Sequence, residues 1–265
     1  MMRSVVRFIA ATLLFALPAA AQDTVSRPAP APALAPAPVP FGVGELLEYE
    51  IKYGKLRVGT GSMEIMPMDT VRGRDTWHTV FRLRGGIPFY RVNDKYEAWF
   101  DTHTLASLRY WQDIDEGNYE PKRHYEIFPE RKEFVEGTGE PRQSVERPLD
   151  EASMLYFLRT VPLRVGLDTS FNDYFIADRN PIRIRVLRVD TISVPAGEFS
   201  AFVVRPTFQS KLFSEGGQAE VWLSNDENRI MLQMKSKLSF GSLSLFLKSY
   251  RPSPATTTPL NRVKR

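Results

Sequence analysis

Residues 46–53, which read LLEYEIKY, decide the fold class of this chain because their polarity alternates with a period of two. Leu47, Tyr49, Ile51 and Tyr53 are apolar, and the residues between them are charged. Successive side chains of a β-strand point to opposite faces, so the stretch predicts a strand with one face in a core and one in water. Such half-buried strands are typical of antiparallel sheets.

The same alternation returns along the rest of the chain. It is found around residues 77–83, 96–101, 182–186, 230–235 and 243–247, and clusters of Gly, Asn, Asp and Pro lie between the runs. These residue types favour turns, and many short strands joined by turns are typical of a barrel or a strongly curved sheet. We therefore predict a mostly β protein whose antiparallel sheet is barrel-like or strongly curved, with one short amphipathic helix.

The helix is predicted where the two-residue period breaks. The apolar positions there follow the spacing i, i+1, i+3, i+4 and i+7, and they are Met154, Leu155, Phe157, Leu158 and Val161. Asp150 can cap the first free amides and Pro162 stops continuation, so we expect about three turns over residues 150–161. The apolar stripe must pack against the sheet, either as a structural plug or as a lid over a cavity. In the second case Leu155, Phe157 and Leu158 are candidate ligand contacts.

The first 40 residues differ in composition from the rest. Residues 1–21 have a basic start, a short apolar run and an Ala-Ala-Ala end, which together predict a secretory signal peptide cleaved after Ala21. The apolar run is shorter than the roughly 20 residues that span a membrane, so we expect a periplasmic or exported protein without a transmembrane segment after cleavage. The alternative is a retained N-terminal anchor.

Residues 22–40 are rich in Pro and Ala and predict an extended linker, because proline fixes φ and lacks an amide donor. The linker either holds the domain away from a surface or is an inert terminus. Residues 252–265, rich in Pro and Thr, predict a disordered tail. A single β-rich domain over residues 41–251 is left between them.

Composition excludes several classes of protein. Hydrophobic residues make up 43% and charged residues 25%, as in ordinary folded domains. Of the 35 Lys and Arg, 33 remain without Arg3 and Arg7, and with 31 Asp and Glu the net charge of the mature chain is +2. A nucleic-acid partner would need a concentrated basic face, so none is expected. Cysteine is absent, so the core and not disulfides must supply the stability.

No motif indicates catalysis or a metal. The chain lacks a Cys nucleophile and a G-x-S-x-G elbow, and its three histidines, His78, His103 and His124, lie 25 and 21 residues apart. That spacing does not place two metal ligands on one element. We therefore expect no enzyme activity, no cofactor and no metal site.

One acidic run offers weak calcium chemistry. Asp113, Asp115 and Glu116 precede Gly117, but the bidentate acid at the twelfth position of a calcium loop is missing. Asp and Gly are common in turns for conformational reasons, so we interpret the run as a hairpin tip.

A basic stripe follows the predicted strand at residues 182–186. Arg183 and Arg185 alternate with apolar residues, and the phase breaks at Leu187. Guanidinium groups bind phosphate well, which makes both arginines candidate contacts for anionic lipid headgroups. The simpler interpretation is a solvated outer face of the sheet.

Three short motifs carry a resemblance to a known family. They are FGVGEL with the following YEI, YG and VGTG at residues 41–61, DEASMLYFLR at residues 150–159 and VPAGEF at residues 194–199. In this order, over about residues 44–250, the chain resembles the bacterial domain of unknown function family 3108. The resemblance implies an exported, β-rich, barrel-like protein of Gram-negative envelopes with no assigned activity, and no site residues carry over from it.

The leading hypothesis is a non-catalytic envelope protein that binds a lipid or other apolar small molecule. An envelope scaffold with a protein partner is the alternative, and an unrecognised hydrolase, with His78 or His124 beside a Ser and an Asp, is the third. An outer-membrane barrel is disfavoured because many charges lie on the predicted outward faces.

Overall fold

Strands dominate the computed structural model, which describes residues 38–87, 90–207, 219–238, 241–256 and 260–263. Within these residues the strands are β1 (Leu46–Tyr53), β2 (Leu56–Ile65), β3 (Asp69–Val71), β4 (Arg74–Ile87), β5 (Tyr90–Asp101), β6 (Ser107–Asp113), β7 (Lys122–Phe128), β8 (Glu133–Glu136), β9 (Arg142–Gln143), β10 (Asp168–Phe171), β11 (Ile182–Val194), β12 (Gly197–Thr207), β13 (Glu220–Ser224), β14 (Met231–Leu238) and β15 (Gly241–Arg251). One helix, α1 (Glu151–Phe157), and two 3₁₀ turns, Pro129–Arg131 and Ala177–Arg179, complete the described elements. The predicted signal peptide and linker residues 22–37 lie outside the described residues.

All the described strands belong to one antiparallel sheet, in the order β10-β11-β12-β13-β14-β15-β1-β2-β4-β5-β6-β7-β8-β9, with β3 paired to β4. Most neighbours are hairpins, and β15 returns to pair with β1. Among the described residues β9 and β10 are edges that do not pair with each other, so the sheet is curved but not closed. The predicted fold class is confirmed.

Bulges and glycines bend this sheet. In β11 the pairing register shifts between Val186 and Arg188, so Leu187 is the extra residue at the phase break seen in the sequence. A bulge increases the local twist of its strand. A Cβ atom at Gly59 or Gly85 would collide with the backbone of the facing strand, so these glycines allow β2 and β4 to approach closely.

The concave face of the sheet holds the main core. In β1 the buried residues Leu47, Tyr49 and Ile51 alternate with more exposed ones, as the sequence predicted. A second, small cluster of Val71, Trp99, Leu108 and Trp111 lies on the opposite face of β5 and β6. Aromatic rings therefore pack on both faces.

Helix α1 is shorter than predicted. It has seven residues, Glu151–Phe157, instead of the twelve expected over residues 150–161. After it the backbone tightens, because the amides of Arg159 and Thr160 donate to carbonyls three residues earlier, at Tyr156 and Phe157. The cause is local: Thr160 and Val161 are β-branched, and the residue before Pro162 disfavours helical backbone.

The C-terminal segment is packed where the structure describes it. The hydroxyl of Ser253 donates to the Val43 carbonyl at 2.8 Å, and the Val263 amide donates to the Glu198 carbonyl at 3.0 Å. The prediction of a disordered tail over residues 252–265 is therefore wrong for residues 252–256 and 260–263. These contacts use backbone carbonyls of distant segments, which no local sequence pattern announces.

Candidate functional site

Helix α1 covers one end of the concave face, the end at which β1 begins and β5 finishes; we call it the helix end. The helix packs against β4 and β5. Beneath it the ring of Phe41 contacts Trp77, Phe100 and Tyr156 edge-on, with centroids 5.5, 6.4 and 5.1 Å away. In this layer α1 acts as a plug, since its Tyr156 ring packs against the rings of Phe41 and Phe100 over β4 and β5.

Three buried donors in this layer have no hydrogen-bond partner among the described residues. They are Trp77 Nε1, the Thr79 hydroxyl and the Tyr156 hydroxyl. Thr79 is 1% exposed and Tyr156 is 2% exposed. Trp77 and Thr79 are two residues apart on β4, so their side chains lie on the same face. Burial also raises the pKa of Tyr156, so its hydroxyl keeps its proton.

The nearby Tyr49 provides a contrast. Its hydroxyl donates to the Met231 carbonyl at 3.0 Å and contacts the sulfur of Met63 at 3.7 Å. Burial raises the pKa of Tyr49 as well, with the Tyr156 hydroxyl as a second cause. The two tyrosines therefore share one apolar environment, but within the described part of the chain only the Tyr49 hydroxyl has a hydrogen-bond partner.

A buried ion pair fixes the plug to the sheet. Arg159 donates to both carboxylate oxygens of Glu45, at 2.5 and 2.9 Å, and to the carbonyls of Asn228 and Pro40, at 3.0 and 2.8 Å. The side chains of Arg159 and Glu45 are 2% and 0% exposed. The nearby Glu45 carboxylate raises the pKa of Arg159 even though burial opposes this. This pair joins the segment after α1 to the start of β1 and to the β13–β14 turn.

The start of α1 is fixed by a buried hydroxyl and carboxylate network. Asp150 accepts from the amides of Ala152 and Ser153 at 2.8 and 2.9 Å, as the sequence predicted for a helix cap. Its other oxygen accepts from Ser107 on β6 at 2.6 Å. Burial raises the pKa of Asp150 to about 7, although these hydrogen bonds act in the opposite direction. The cap therefore also binds the helix to the sheet.

A second buried carboxylate follows directly. Glu151 accepts from the Tyr174 hydroxyl at 2.6 Å through Oε1, while its Oε2 has no partner among the described residues. Burial raises the pKa of Glu151. Two neighbouring carboxylic acids are less costly to bury when they are neutral than when both carry a charge.

Asp94 is a further buried acid, at the opposite end of the sheet, where turns join β4 to β5 and β6 to β7; we call it the far end. It is 2% exposed, and it accepts from the Asp115 amide at 2.9 Å. Burial raises the pKa of Asp94 to about 7, and the nearby Glu116 adds to the rise. The run Asp113–Glu116 therefore lies at a hairpin tip, as interpreted from the sequence.

The structure separates the candidate residues chosen from the sequence. Leu155 and Leu158 are buried core residues, and Phe157 is half-buried against the Phe171 ring, with centroids 5.4 Å apart. Arg183 is exposed and pairs with Asp168 through two hydrogen bonds of 2.7 and 2.6 Å. Alternation along β11 places Arg183 and Arg185 on the face opposite the core. The helical and basic candidates are therefore on different faces and do not form one site.

Two of the three histidines have a carboxylate and an indole partner, and the His103 ring contacts the Thr102 hydroxyl at 3.0 Å. His78 lies 3.3 Å from Glu97 and stacks on Trp99, with centroids 4.4 Å apart. His124 lies 3.6 Å from Asp113 and stacks on Trp111 at 4.6 Å. Over the described ranges no cluster of three or more His, Cys, Asp or Glu side chains is arranged to hold a metal ion.

The important polar residues Glu45, Trp77, Thr79, Tyr156 and Arg159 were not selected from the sequence. One signal was available, because Arg159 is a charged residue next to Leu158 in the apolar helical run and needs a buried partner. The unpartnered donors carry no such signal, since Thr and Trp are common on strands.

The sequence was then compared with known families and proteins. Residues 48–248 match the family described as "Protein of unknown function (DUF3108)". The chain belongs to the DUF3108 family. This confirms the resemblance seen in the three sequence motifs. No curated protein matches the sequence of this DUF3108 protein.

Three solved structures are similar to this DUF3108 protein, and one of them supports its fold. A β-barrel-like protein of the DUF1849 domain family from Brucella abortus has a TM-score of 0.53 and 11% identity, covering 82% of this chain and 100% of that one. A lipoprotein candidate from Parabacteroides distasonis has a TM-score of 0.35 and 9% identity, covering 80% and 98%. A protein with a YmcC-like fold from Bacteroides fragilis has a TM-score of 0.31 and 10% identity, covering 82% and 100%. The first likeness supports a barrel-like fold and nothing further.

Proposed function

We propose that this DUF3108 protein is a non-catalytic, exported protein of the cell envelope that binds a lipid or a similar apolar ligand beneath helix α1. Export rests on the signal-peptide pattern of residues 1–21. No helix in the described part of the chain has the length and apolar character to cross a bilayer. The proposal is consistent with the DUF3108 and barrel-like assignments, although fold alone does not give function.

The observation that carries the proposal is the set of unpartnered donors of Trp77, Thr79 and Tyr156. Buried polar groups nearly always have hydrogen-bond partners, so several unpartnered donors in one apolar layer need an explanation. A ligand with an acceptor group, such as the carboxylate of a fatty acid or the phosphate of a phospholipid, would supply the partners. Its acyl chain suits the aromatic and aliphatic surroundings.

Access to the layer does not require breaking the sheet. Among the described residues β9 and β10 do not pair with each other. A ligand that enters between these two edges breaks no hydrogen bonds between named strands, but it must pass the bridge of Leu149 and Tyr174, whose segments are joined by backbone hydrogen bonds of 2.6 and 3.0 Å. Helix α1 links the two edges in sequence, and Phe157 contacts Phe171 of β10, so this end of the helix would move with the opening.

Titration of the delipidated protein with a fluorescent fatty acid tests the proposal. Tyr156→Phe and Thr79→Val each remove an unpartnered donor, so each should weaken binding by roughly 10-fold or more while the stability of the ligand-free protein stays equal or rises. Tyr49→Phe is the matched control, because it removes a hydroxyl that already has a partner. It should lower stability by about 1 kcal/mol and leave the affinity unchanged.

The outcome separates this proposal from the scaffold alternative. Saturable binding that is sensitive to Tyr156→Phe and Thr79→Val supports a ligand-binding interior. Absence of binding, or equal affinity in all three variants, would contradict it. A single envelope protein recovered by crosslinking, together with no bound lipid, would then favour the scaffold.

A further inference from the structure

A polar pocket of about 380 Å³ lies at the far end of the sheet, away from the helix plug. Four neighbouring strands and their turns supply its lining, which consists of Arg82, Arg84, Asn93, Asp94, Lys95, Asp113, Ile114, Asp115, Glu120 and Lys122. None of the unpartnered donors beneath α1 belongs to this lining. The pocket is therefore a separate site from the interior discussed above.

Charged residues face one another across the strands of this pocket. Arg82 on β4 lies directly opposite Lys95 on β5, Lys95 opposite Asp113 on β6, and Asp113 opposite Lys122 on β7. Directly opposed residues share a face of the sheet, and like charges in that position destabilise it. The Arg82 and Lys95 pairing therefore costs stability unless an anion or a carboxylate lies beside it.

Some of these charges are already paired inside the protein. Lys95 lies 2.5 Å from Glu97, and Asp115 lies 2.8 Å from Arg91. These pairs neutralise Lys95 on β5 and Asp115 in the turn after β6. The other charged side chains of the lining include the two arginines of β4, Asp113 of β6, Glu120 in the turn before β7 and Lys122 at the start of β7.

The two arginines of β4 lack close carboxylate partners over the described ranges. Arg84 donates only to the neutral amide oxygen of Asn93, at 3.1 Å, and the nearest carboxylate oxygen to Arg82 is that of Glu64, at 3.9 Å. On β6, Asp113 Oδ1 is buried without a hydrogen-bond partner, and it lies 3.6 Å from His124. The two guanidinium groups and the Oδ2 atom of Asp113, whose side chain is 41% exposed, are thus available to a ligand, whereas the buried Oδ1 faces His124.

A buried residue fixes the shape of the pocket. Asp94 accepts from the Asp115 amide at 2.9 Å, and the Asn93 amide donates to the Asp115 carbonyl at 2.8 Å. These bonds tie the turn after β6 to β5, so the position of Asp113 relative to β4 is set by the backbone. Two strand spacings separate β4 from β6, about 9–10 Å, a span that arginine side chains partly cross.

We infer that this pocket binds a small zwitterion, whose phosphate or carboxylate contacts Arg82 and Arg84 and whose ammonium group contacts Asp113. The planar guanidinium fork matches an oxyanion, and two such groups from one strand face can hold the same one. The carboxylate of Asp113 suits an ammonium at the other end of the ligand. The inference does not depend on the lipid proposal, since the two sites share no residue.

Phosphoethanolamine is the simplest probe of this chemistry. Titration into the ¹⁵N-labelled full-length mature protein should shift the amide signals of residues 93–95 and 113–115. Its affinity should exceed that of inorganic phosphate and of ethanolamine by at least roughly 10-fold, since each half of the probe makes only part of the contacts. Arg84→Gln should lower the affinity by a similar factor, and Arg57→Gln, an exposed arginine outside the pocket, should not.

The variant Asp113→Asn separates recognition of the ammonium from a structural role. It should leave the affinity for inorganic phosphate unchanged and remove the preference for phosphoethanolamine. Vesicles containing phosphatidylethanolamine distinguish the source: binding abolished by Arg84→Gln indicates a lipid headgroup, whereas binding only of the soluble probe indicates a free metabolite. Absence of shifts up to about 10 mM probe, or equal affinity for inorganic phosphate in the unmodified protein, would overturn the inference.

Discussion

Replacing Arg159 with methionine should destabilise the protein by about 3–5 kcal/mol, because it leaves a buried carboxylate without its counter-ion. Glu45 is fully buried, and both of its oxygens accept from Arg159 in the intact protein. In the variant, the side-chain hydrogen bond left to its carboxylate among the described residues is from the Tyr250 hydroxyl, at 3.4 Å. The carbonyls of Pro40 and Asn228 also lose the hydrogen bonds that Arg159 donates.

Urea unfolding of the mature protein, followed by tryptophan fluorescence, measures this loss. In a domain of this size each kcal/mol corresponds to about 2–4 °C in Tm, so thermal unfolding should show a decrease of roughly 6–20 °C. The double variant Glu45→Leu/Arg159→Met should recover much of the stability, because no charge is then left buried.

Two results would refute this reasoning. A loss below about 1 kcal/mol for Arg159→Met would place the pair among ordinary exposed ion pairs, in conflict with its burial. Additive losses in the double variant would mean that Glu45 and Arg159 are not energetically coupled. Arg57 lies 3.5 Å from Glu50 and its side chain is 54% exposed. Arg57→Met is therefore the control and should change the free energy of unfolding little.

Three further predictions concern stability and processing. Stability should fall as pH rises from about 4 to 7, since burial raises the pKa values of Asp94 and Asp150 to about 7. An acid with a raised folded-state pKa stabilises the fold only while it stays protonated. Denaturation midpoints that rise over this pH window would contradict the raised pKa values, and Asp94→Asn should make stability depend less on pH. Leu158→Ala should lower the free energy of unfolding by about 2–5 kcal/mol because the side chain is fully buried. Val165→Ala, at a position that is 55% exposed, should lower it by less than about 0.5 kcal/mol. Similarly small losses in both variants would mean that the apolar stripe of the helix is an exposed surface. The exported protein should begin at Gln22, and an intact mass that still includes Met1 would exclude signal cleavage.

The strands could be predicted because their signal is local. The two-residue period of Leu47, Tyr49 and Ile51 predicts which side chains of β1 are buried, and the structure agrees. The phase break at Leu187 likewise marks a real bulge. The predicted helix is too long because the apolar spacing in the sequence continues to Val161, whereas the helical backbone ends at Phe157.

The site could not be predicted in the same way, because its contacts join distant parts of the chain. Arg159 and Glu45 are 114 residues apart, and Asp150 meets Ser107 across 43. Arg82, Lys95 and Asp113 form one row only because of the register of three strands. Sequence patterns indicate which face a side chain takes, but strand order and register decide which residues meet.

The central claim, a ligand beneath helix α1, is tested most directly by native mass spectrometry of the protein released gently from its own envelope fraction. We expect a single adduct with the mass of a fatty acid or phospholipid, lost on solvent extraction and reduced in Tyr156→Phe. The Tyr49→Phe variant should retain the adduct. A native mass equal to the mature polypeptide in every preparation would contradict the claim.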